Sequence, residues 1–224
     1  MQKIEKISTG IENFDELLGG GFPKGSTIVY YGPPSTGKTI CSLFFLYAGM
    51  KKKEKTLYVT FEEGEGRLIQ LANTLGIDIN EFIINKLFVI RDFSRFVSEK
   101  GVEKSILDKI KTDGITRVVI DSLTAAMIDN LSNGNALAQK KFIRDFLRTF
   151  RDENLTVIVI SRDEAEFGTA IGFADCAVNF QVHAMGDQGL SSCRITKVRL
   201  SKHSKNLHYL DLTKSGQISI RLEK

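Results

Sequence analysis

The amino-acid sequence predicts an α/β fold: a mostly parallel, twisted sheet flanked by helices, extended at its C-terminal end by antiparallel β structure. Three observations predict it. Short β-branched runs alternate with longer stretches of helical spacing as far as Ser161. A glycine-rich loop joins the first strong strand to the first long helix. Beyond Ala174 strand-like runs follow one another with no helix between them.

The strands read as buried runs at Thr27 to Tyr31, Thr56 to Phe61, Leu87 to Ile90, Arg117 to Asp121 and Thr156 to Ser161. Between them, helical spacing covers Lys38 to Lys51, Glu65 to Leu75, Ser98 to Lys111 and Ala136 to Glu153. In the last of these Phe142, Phe146, Leu147 and Phe150 recur at helical intervals and face the sheet. Lys140, Lys141, Arg144 and Arg148 then face outward. Strand and helix in strict alternation imply parallel pairing with crossover helices. The later runs, Val178 to His183, Cys193 to Leu200, Leu207 to Leu212 and Ile218 to Arg221, read as hairpins that extend one sheet edge at a subunit boundary.

With 224 residues the chain suits a single domain, 1–224, whose antiparallel extension covers about 175–224. Hydrophobic residues at 42% and charged residues at 26% are ordinary for a globular protein, and a net charge of +4 permits an acidic partner without demanding one. Cys41, Cys176 and Cys193 are odd in number and scattered. They suggest neither a disulfide framework nor a zinc site, and point to a reducing cytoplasm. The charged start, Met1 to Lys6, is followed by no apolar h-region, so no signal peptide is expected. The longest apolar-rich stretch, Cys41 to Met50, is too short to span a bilayer, and no membrane partner is expected.

Gly32-Pro33-Pro34-Ser35-Thr36-Gly37-Lys38-Thr39 fits the P-loop pattern of Gly, four free positions, Gly, Lys and Ser or Thr. Gly32 and Gly37 let the backbone curl so that successive N–H groups point at anionic oxygens. Lys38 reaches the β- and γ-phosphates of ATP as a point charge, and the Thr39 hydroxyl is a hard oxygen ligand for Mg²⁺. The helix that begins here adds its N-terminal dipole. Gly32, Ser35, Thr36, Gly37, Lys38, Thr39 and Ile40 therefore form the expected phosphate cradle. Arg117-Val118-Val119-Ile120-Asp121 is a buried strand ending in a carboxylate, the arrangement that holds Mg²⁺ beside a P-loop, so Thr39 and Asp121 are the expected metal residues. Glu62 and Glu63 end another strand, where ligands bind in open α/β sheets. One of the two can orient or deprotonate the water that attacks the γ-phosphate, with Glu62 preferred.

These elements, in this order, resemble the RecA-like ATPases, and specifically the single-domain relatives of the KaiC family. The resemblance covers nearly the whole chain. It includes Ser8-Thr9-Gly10-Ile11, Phe14-Asp15, Gly19-Gly20-Gly21, Val59 to Glu63, Lys86 to Val89, Ile120-Asp121-Ser122, Glu164 to Gly168, Ala174-Asp175 and Lys197-Val198-Arg199. It implies that Lys197 and Arg199 are fingers reaching the γ-phosphate held by a neighbouring subunit. It also implies that His203 lies near the nucleotide and that Ser161, with Arg162 beside it, stands where a polar γ-phosphate sensor sits. A ring, of hexameric type, with a protein partner under regulation follows from the same resemblance. The family's clock protein carries two such domains in tandem and this chain carries one, so the autokinase activity of the second domain is not implied. Leu200 stands where the family commonly has Gly.

Two other readings fit the same motifs. One is a DNA-binding recombinase relative of the small RadB-like kind, with the segments Asp129 to Ala136 and Ala165 to Gly172 as loops lining a channel. Neither segment carries the clustered cations and stacking aromatics of a single-strand groove, so nucleic acid is the less favoured partner. The other is an ATP-binding switch of low turnover, against which the retained Glu62 and Glu63 argue.

Overall fold

A computed structural model of the chain describes residues 4–93, 102–126, 136–153, 155–162, 164–185, 188–212 and 218–221. Its main body is a nine-stranded sheet. Four strands are buried along their whole length: β3 (Thr27–Tyr31), β4 (Thr56–Thr60), β6 (Arg117–Asp121) and β7 (Thr156–Ser161). Their near-continuous apolar runs, rich in Val, Ile and Tyr, are what a strand covered on both faces requires. With β5 (Phe88–Asp92) they pair in parallel. The N-terminal strands β1 (Lys6–Ile7) and β2 (Phe22–Pro23) form a separate two-stranded sheet.

Helices cover both faces and give the core two halves. On one side α2 (Lys38–Lys51) and α3 (Glu65–Thr74) close over Tyr30, Tyr58, Ile158 and Phe180. On the other, α5 (Val102–Asp113) and α6 (Ala136–Asp152) close over Val29, Val59, Val118 and Val159. Along α6 the rings of Phe142, Phe146 and Phe150 lie 5.6 and 5.1 Å apart in sequence, the inward stripe that the spacing predicts. Short helices α1 (Phe14–Leu17) and α4 (Asn80–Ile84) complete this part. The fully buried Arg117 opens β6. It is neutralised by Glu54 at 2.5 Å and donates to the carbonyls of Ser8 and Phe45, which ties the N-terminal segment and α2 to the sheet.

The C-terminal part departs from expectation in two ways. Residues 165–172, read as a loop, belong to helix α7 (Glu164–Phe173). Gly168 and Gly172 each weaken a helix by about 1 kcal/mol relative to Ala and blur its pattern, whereas packing of Ala170 and Ala174 in the core outweighs that local preference. In addition β8 (Cys176–Met185) pairs in parallel with β3 before the antiparallel part begins. From there β9 (Gln188–Val198), β10 (Leu207–Leu212) and β11 (Ile218–Arg221) add antiparallel strands outward, giving the order β11-β10-β9-β8-β3-β7-β6-β4-β5. The expected starts of a helix at Ser98 and of a loop at Asp129 lie outside the described residues. Among the described residues no helix is long and apolar enough to cross a membrane.

Candidate active site

Because β3, β4, β6 and β7 run in parallel, their C-terminal ends share one edge, and the sequence motifs converge there. The loop after Tyr31 turns at Gly32, whose φ of 136° belongs to glycine and whose missing side chain lets β8 approach closely. A second turn, at Gly37 with φ 96°, starts α2. Pro34, Ser35, Thr36, Gly37, Lys38, Thr39 and Ile40 then line a cleft of about 470 Å³, joined by Glu63, Leu71 and Arg162.

Within the cleft, Lys38 donates to the carbonyls of Gly32 (2.7 Å) and Pro33 (2.5 Å) and to Thr36 Oγ1 (3.1 Å). Burial, and then the Arg162 charge, push its ammonium down to about 8, while Asp121 and Glu62 pull the other way. Thr39 Oγ1 donates to Asp121 Oδ2 at 2.9 Å. The same oxygen accepts a 2.6 Å bond from Tyr58, a wholly buried phenol on β4. Burial first, and the adjacent Asp121 carboxylate second, hold that phenol protonated far into alkali.

Asp121 Oδ1 is buried and accepts no hydrogen bond. A buried carboxylate oxygen with no donor is costly, and a cation meets its need. With the Thr39 hydroxyl beside it, this donor set consists of hard oxygens and fits Mg²⁺, which keeps waters and takes phosphate oxygens as further ligands. Among the described residues no group of three or more His, Cys, Asp or Glu gathers as a self-sufficient metal cage.

Glu62 and Glu63 follow β4, and Thr60 shapes their turn by accepting from both backbone N–H groups and donating to the Glu63 carbonyl. Glu62 accepts from Ser122 Oγ at 2.5 Å through Oε1 and ion-pairs with Arg162 through Oε2. Arg162 also stands 3.6 Å from Asp121 Oδ1. Ser161 is buried opposite Tyr31 in the ladder, and it is Arg162, the next residue, that enters the cleft.

Lys197 and Arg199 do not join this group. Lys197 pairs with Ala177, which pairs with Val29 midway along β3, and the Arg199 N–H donates to the carbonyl of Asp175 just before β8, so the chain leads from Lys197 to Arg199 away from the P-loop end of the sheet. There Lys197 Nζ donates to the carbonyls of Ile171 (2.7 Å) and Gly172 (3.2 Å), and Arg199 stands 3.8 Å from Asp175. His203 lies between Lys202, whose carbonyl approaches Gly19, and Ser204, whose N–H donates to Leu17 O, which sets it against the N-terminal segment. Sequence reasoning missed Tyr58, Thr60 and Leu71. The strand pattern marks Tyr58 only as buried, and nothing in the sequence pairs it with Asp121 across the β4–β6 ladder.

A family model described as ATPase: KaiC matches residues 7–224. The circadian clock oscillator protein KaiC of Nostoc sp. is 28% identical over 229 residues, which is 95% of this chain but 44% of that protein. A UPF0273 protein of Methanopyrus kandleri is 27% identical over 231 residues, covering 95% of this chain and 91% of its own length. The chain thus spans less than half of the clock protein and nearly all of the UPF0273 protein. A crystal structure of a KaiC-like protein from Pyrococcus horikoshii superposes with a TM-score of 0.82 at 22% identity, over 98% of this chain and 100% of that one. At that identity the likeness speaks to the fold.

Proposed function

The chain belongs to the KaiC family of ATPases, and from that premise we propose that it is a Mg²⁺-dependent, ring-forming regulatory ATPase whose sites are completed by neighbouring subunits. The observation that carries the reading is the division of its cations. Lys38 and Arg162 face the phosphate cleft, whereas Lys197 and Arg199 stand two strands away from β3 and are engaged with the carbonyls of Ile171 and Gly172 and with Asp175. That arrangement supports fingers that serve a second copy. Arg199 is steadied by Asp175, itself fixed by an N–H bond from Thr27 at the start of β3.

In this reading the loop from Gly32 to Ile40 binds the phosphates of ATP, with Lys38 on the terminal pair. Thr39 and Asp121 hold Mg²⁺, which when bound offsets phosphate charge. Glu62 receives the proton of the attacking water, and Glu63 lines the approach. Ser161 holds the end of β7 so that Arg162 points inward. The partner copy's Lys197 and Arg199, together with His203, meet charge developing on the γ-phosphoryl, a contribution of about 10³ to 10⁵ in rate for such a finger. The hexameric ring, a protein partner under regulation and a cytoplasmic setting belong to this reading. No clock role is part of it.

Lys197→Ala is expected to lower turnover at least about a hundredfold while ATP affinity stays within about twofold. Mixing Lys197→Ala subunits with Lys38→Ala subunits should recover activity that neither has alone, because an intact P-loop then meets an intact finger. Absence of recovery in a mixed assembly counts against shared sites.

A second reading, DNA binding, gains one observation. Lys140, Lys141 and Arg144 on α6 face α7 across a cleft of about 590 Å³. A titration at two salt concentrations decides it, since phosphate contacts give a steep salt dependence. Absent or salt-insensitive binding removes this reading.

A further inference from the structure

Both carboxylate oxygens of Glu62 have a partner. Its Oε1 accepts from Ser122 Oγ at 2.5 Å, and its Oε2 is held by Arg162 Nη1. A carboxylate with one oxygen in a guanidinium ion pair and the other under a hydroxyl is held in one orientation by two charge-assisted contacts. The holding cation is itself a cleft residue. Arg162 lines the same wall as the loop from Pro34 to Ile40 and shares it with Lys38, a like charge. Its backbone is anchored, since its N–H donates to Thr124 Oγ1 at 3.1 Å and Ser161 before it is locked in register with Tyr31. Its side chain is 30% exposed, and its second nitrogen stands 3.6 Å from Asp121 Oδ1, too far for a hydrogen bond. So the main chain is fixed, the side chain is accessible and the head group is shared between carboxylates.

We propose that Arg162 is a latch on Glu62: it keeps the carboxylate from acting as a base until the terminal phosphate of a nucleoside triphosphate takes the guanidinium over. This rests on Glu62 being the base. A terminal phosphate carries more charge than a carboxylate and accepts the same two-pronged bond, so it competes for Arg162 where the α- and β-phosphates of ADP do not reach. Once released, Glu62 Oε2 accepts a proton from water as the water oxygen bonds to the γ-phosphorus. The bond between that phosphorus and the β–γ bridging oxygen breaks, and its electron pair leaves on ADP. Glu62 gives that proton up to the departing phosphate or to solvent, and the carboxylate so restored pairs with Arg162 again. The latch thereby couples base activity to the presence of a third phosphate, and Arg162 is a positioning residue for Glu62.

The test measures binding of ADP and of an ATP analogue with an imido β–γ bridge to the wild-type chain, Glu62→Gln, Arg162→Ala and the double variant, with Mg²⁺ in excess. Glu62→Gln removes the competing charge and is expected to tighten the triphosphate analogue about tenfold, the order of one charge-assisted hydrogen bond, with ADP changed less than about twofold. Arg162→Ala is expected to weaken the analogue by about the same factor and spare ADP. In the double variant the gain from Glu62→Gln should vanish. Arg162→Lys keeps a charge but not the fork, so its affinity should fall between wild type and Arg162→Ala; thermal melts verify that each variant is folded. No gain in Glu62→Gln, or a gain that persists without Arg162, overturns the latch. Hydrolysis by Glu62→Gln is read separately: undiminished turnover refutes Glu62 as base, whereas lost turnover without the affinity gain refutes only the latch.

Discussion

Replacing Tyr58 by Phe removes one hydroxyl and leaves the ring, so the packing of β4 against α2 is unchanged and the effect isolates one contact. That hydroxyl is buried and donates to Asp121 Oδ2 at 2.6 Å, alongside Thr39 at 2.9 Å. Since Asp121 Oδ1 accepts no hydrogen bond, the two donors to Oδ2 carry the carboxylate's hydrogen bonding. A hydrogen bond to a charged group contributes about 1.5–3 kcal/mol, so Tyr58→Phe should destabilise the fold by about 2 kcal/mol. For a chain of this length that lowers the melting temperature by roughly 4–8 °C. Urea unfolding in a chelating, Mg²⁺-free buffer measures it. If the carboxylate charge is the cause, the same substitution in an Asp121→Asn background should cost only about 1 kcal/mol. A loss below about 0.5 kcal/mol in the wild-type background, or an equal loss in both, would refute the reasoning.

Two further expectations follow from the cleft. At Gly32 an added Cβ would stand 2.0 Å from the Phe180 carbonyl oxygen, at φ 136°, whereas at Gly37 it would meet only Leu210 Cδ1 at 3.8 Å, at φ 96°. Gly32→Ala should cost at least about 3 kcal/mol and abolish nucleotide binding, Gly37→Ala about 1–2 kcal/mol, read by melting and by a fluorescent nucleotide; equal costs would contradict the geometry. Lys38, depressed to about 8, is a cation whose folded state binds fewer protons than the unfolded chain between that value and its ordinary 10.5. Stability from this group therefore rises with pH across that window, and ATP, which favours the ammonium, should take up protons on binding near pH 8.5, roughly midway up its lower half. Calorimetric titration there in two buffers of different ionisation heat measures the uptake, and zero uptake contradicts the depressed ammonium.

What was legible in the sequence was whatever is local. The loop from Gly32 to Thr39 announces itself because phosphate binding needs glycines, a lysine and a hydroxyl at fixed spacing on one turn. Asp121 and Glu62 were legible as carboxylates ending buried strands. Helix α7 was not, because Gly168 and Gly172 break the pattern that burial against the sheet restores.

By itself, then, the sequence determined the alternation of strands and helices and the strand ends at which the motif residues stand, since backbone conformation and burial follow from side-chain period and shape over a few neighbours. The tertiary structure alone decided who meets whom. Register between β4 and β6 brings the Tyr58 hydroxyl to Asp121, and the position of β7 beside β3 and β6 turns Arg162 towards Glu62. The parallel docking of β8 on β3 sets Lys197 level with Val29 and leads Arg199 to Asp175. Such meetings join residues tens of positions apart. Strand order and register fix them through packing and ladder hydrogen bonds, which no local period encodes.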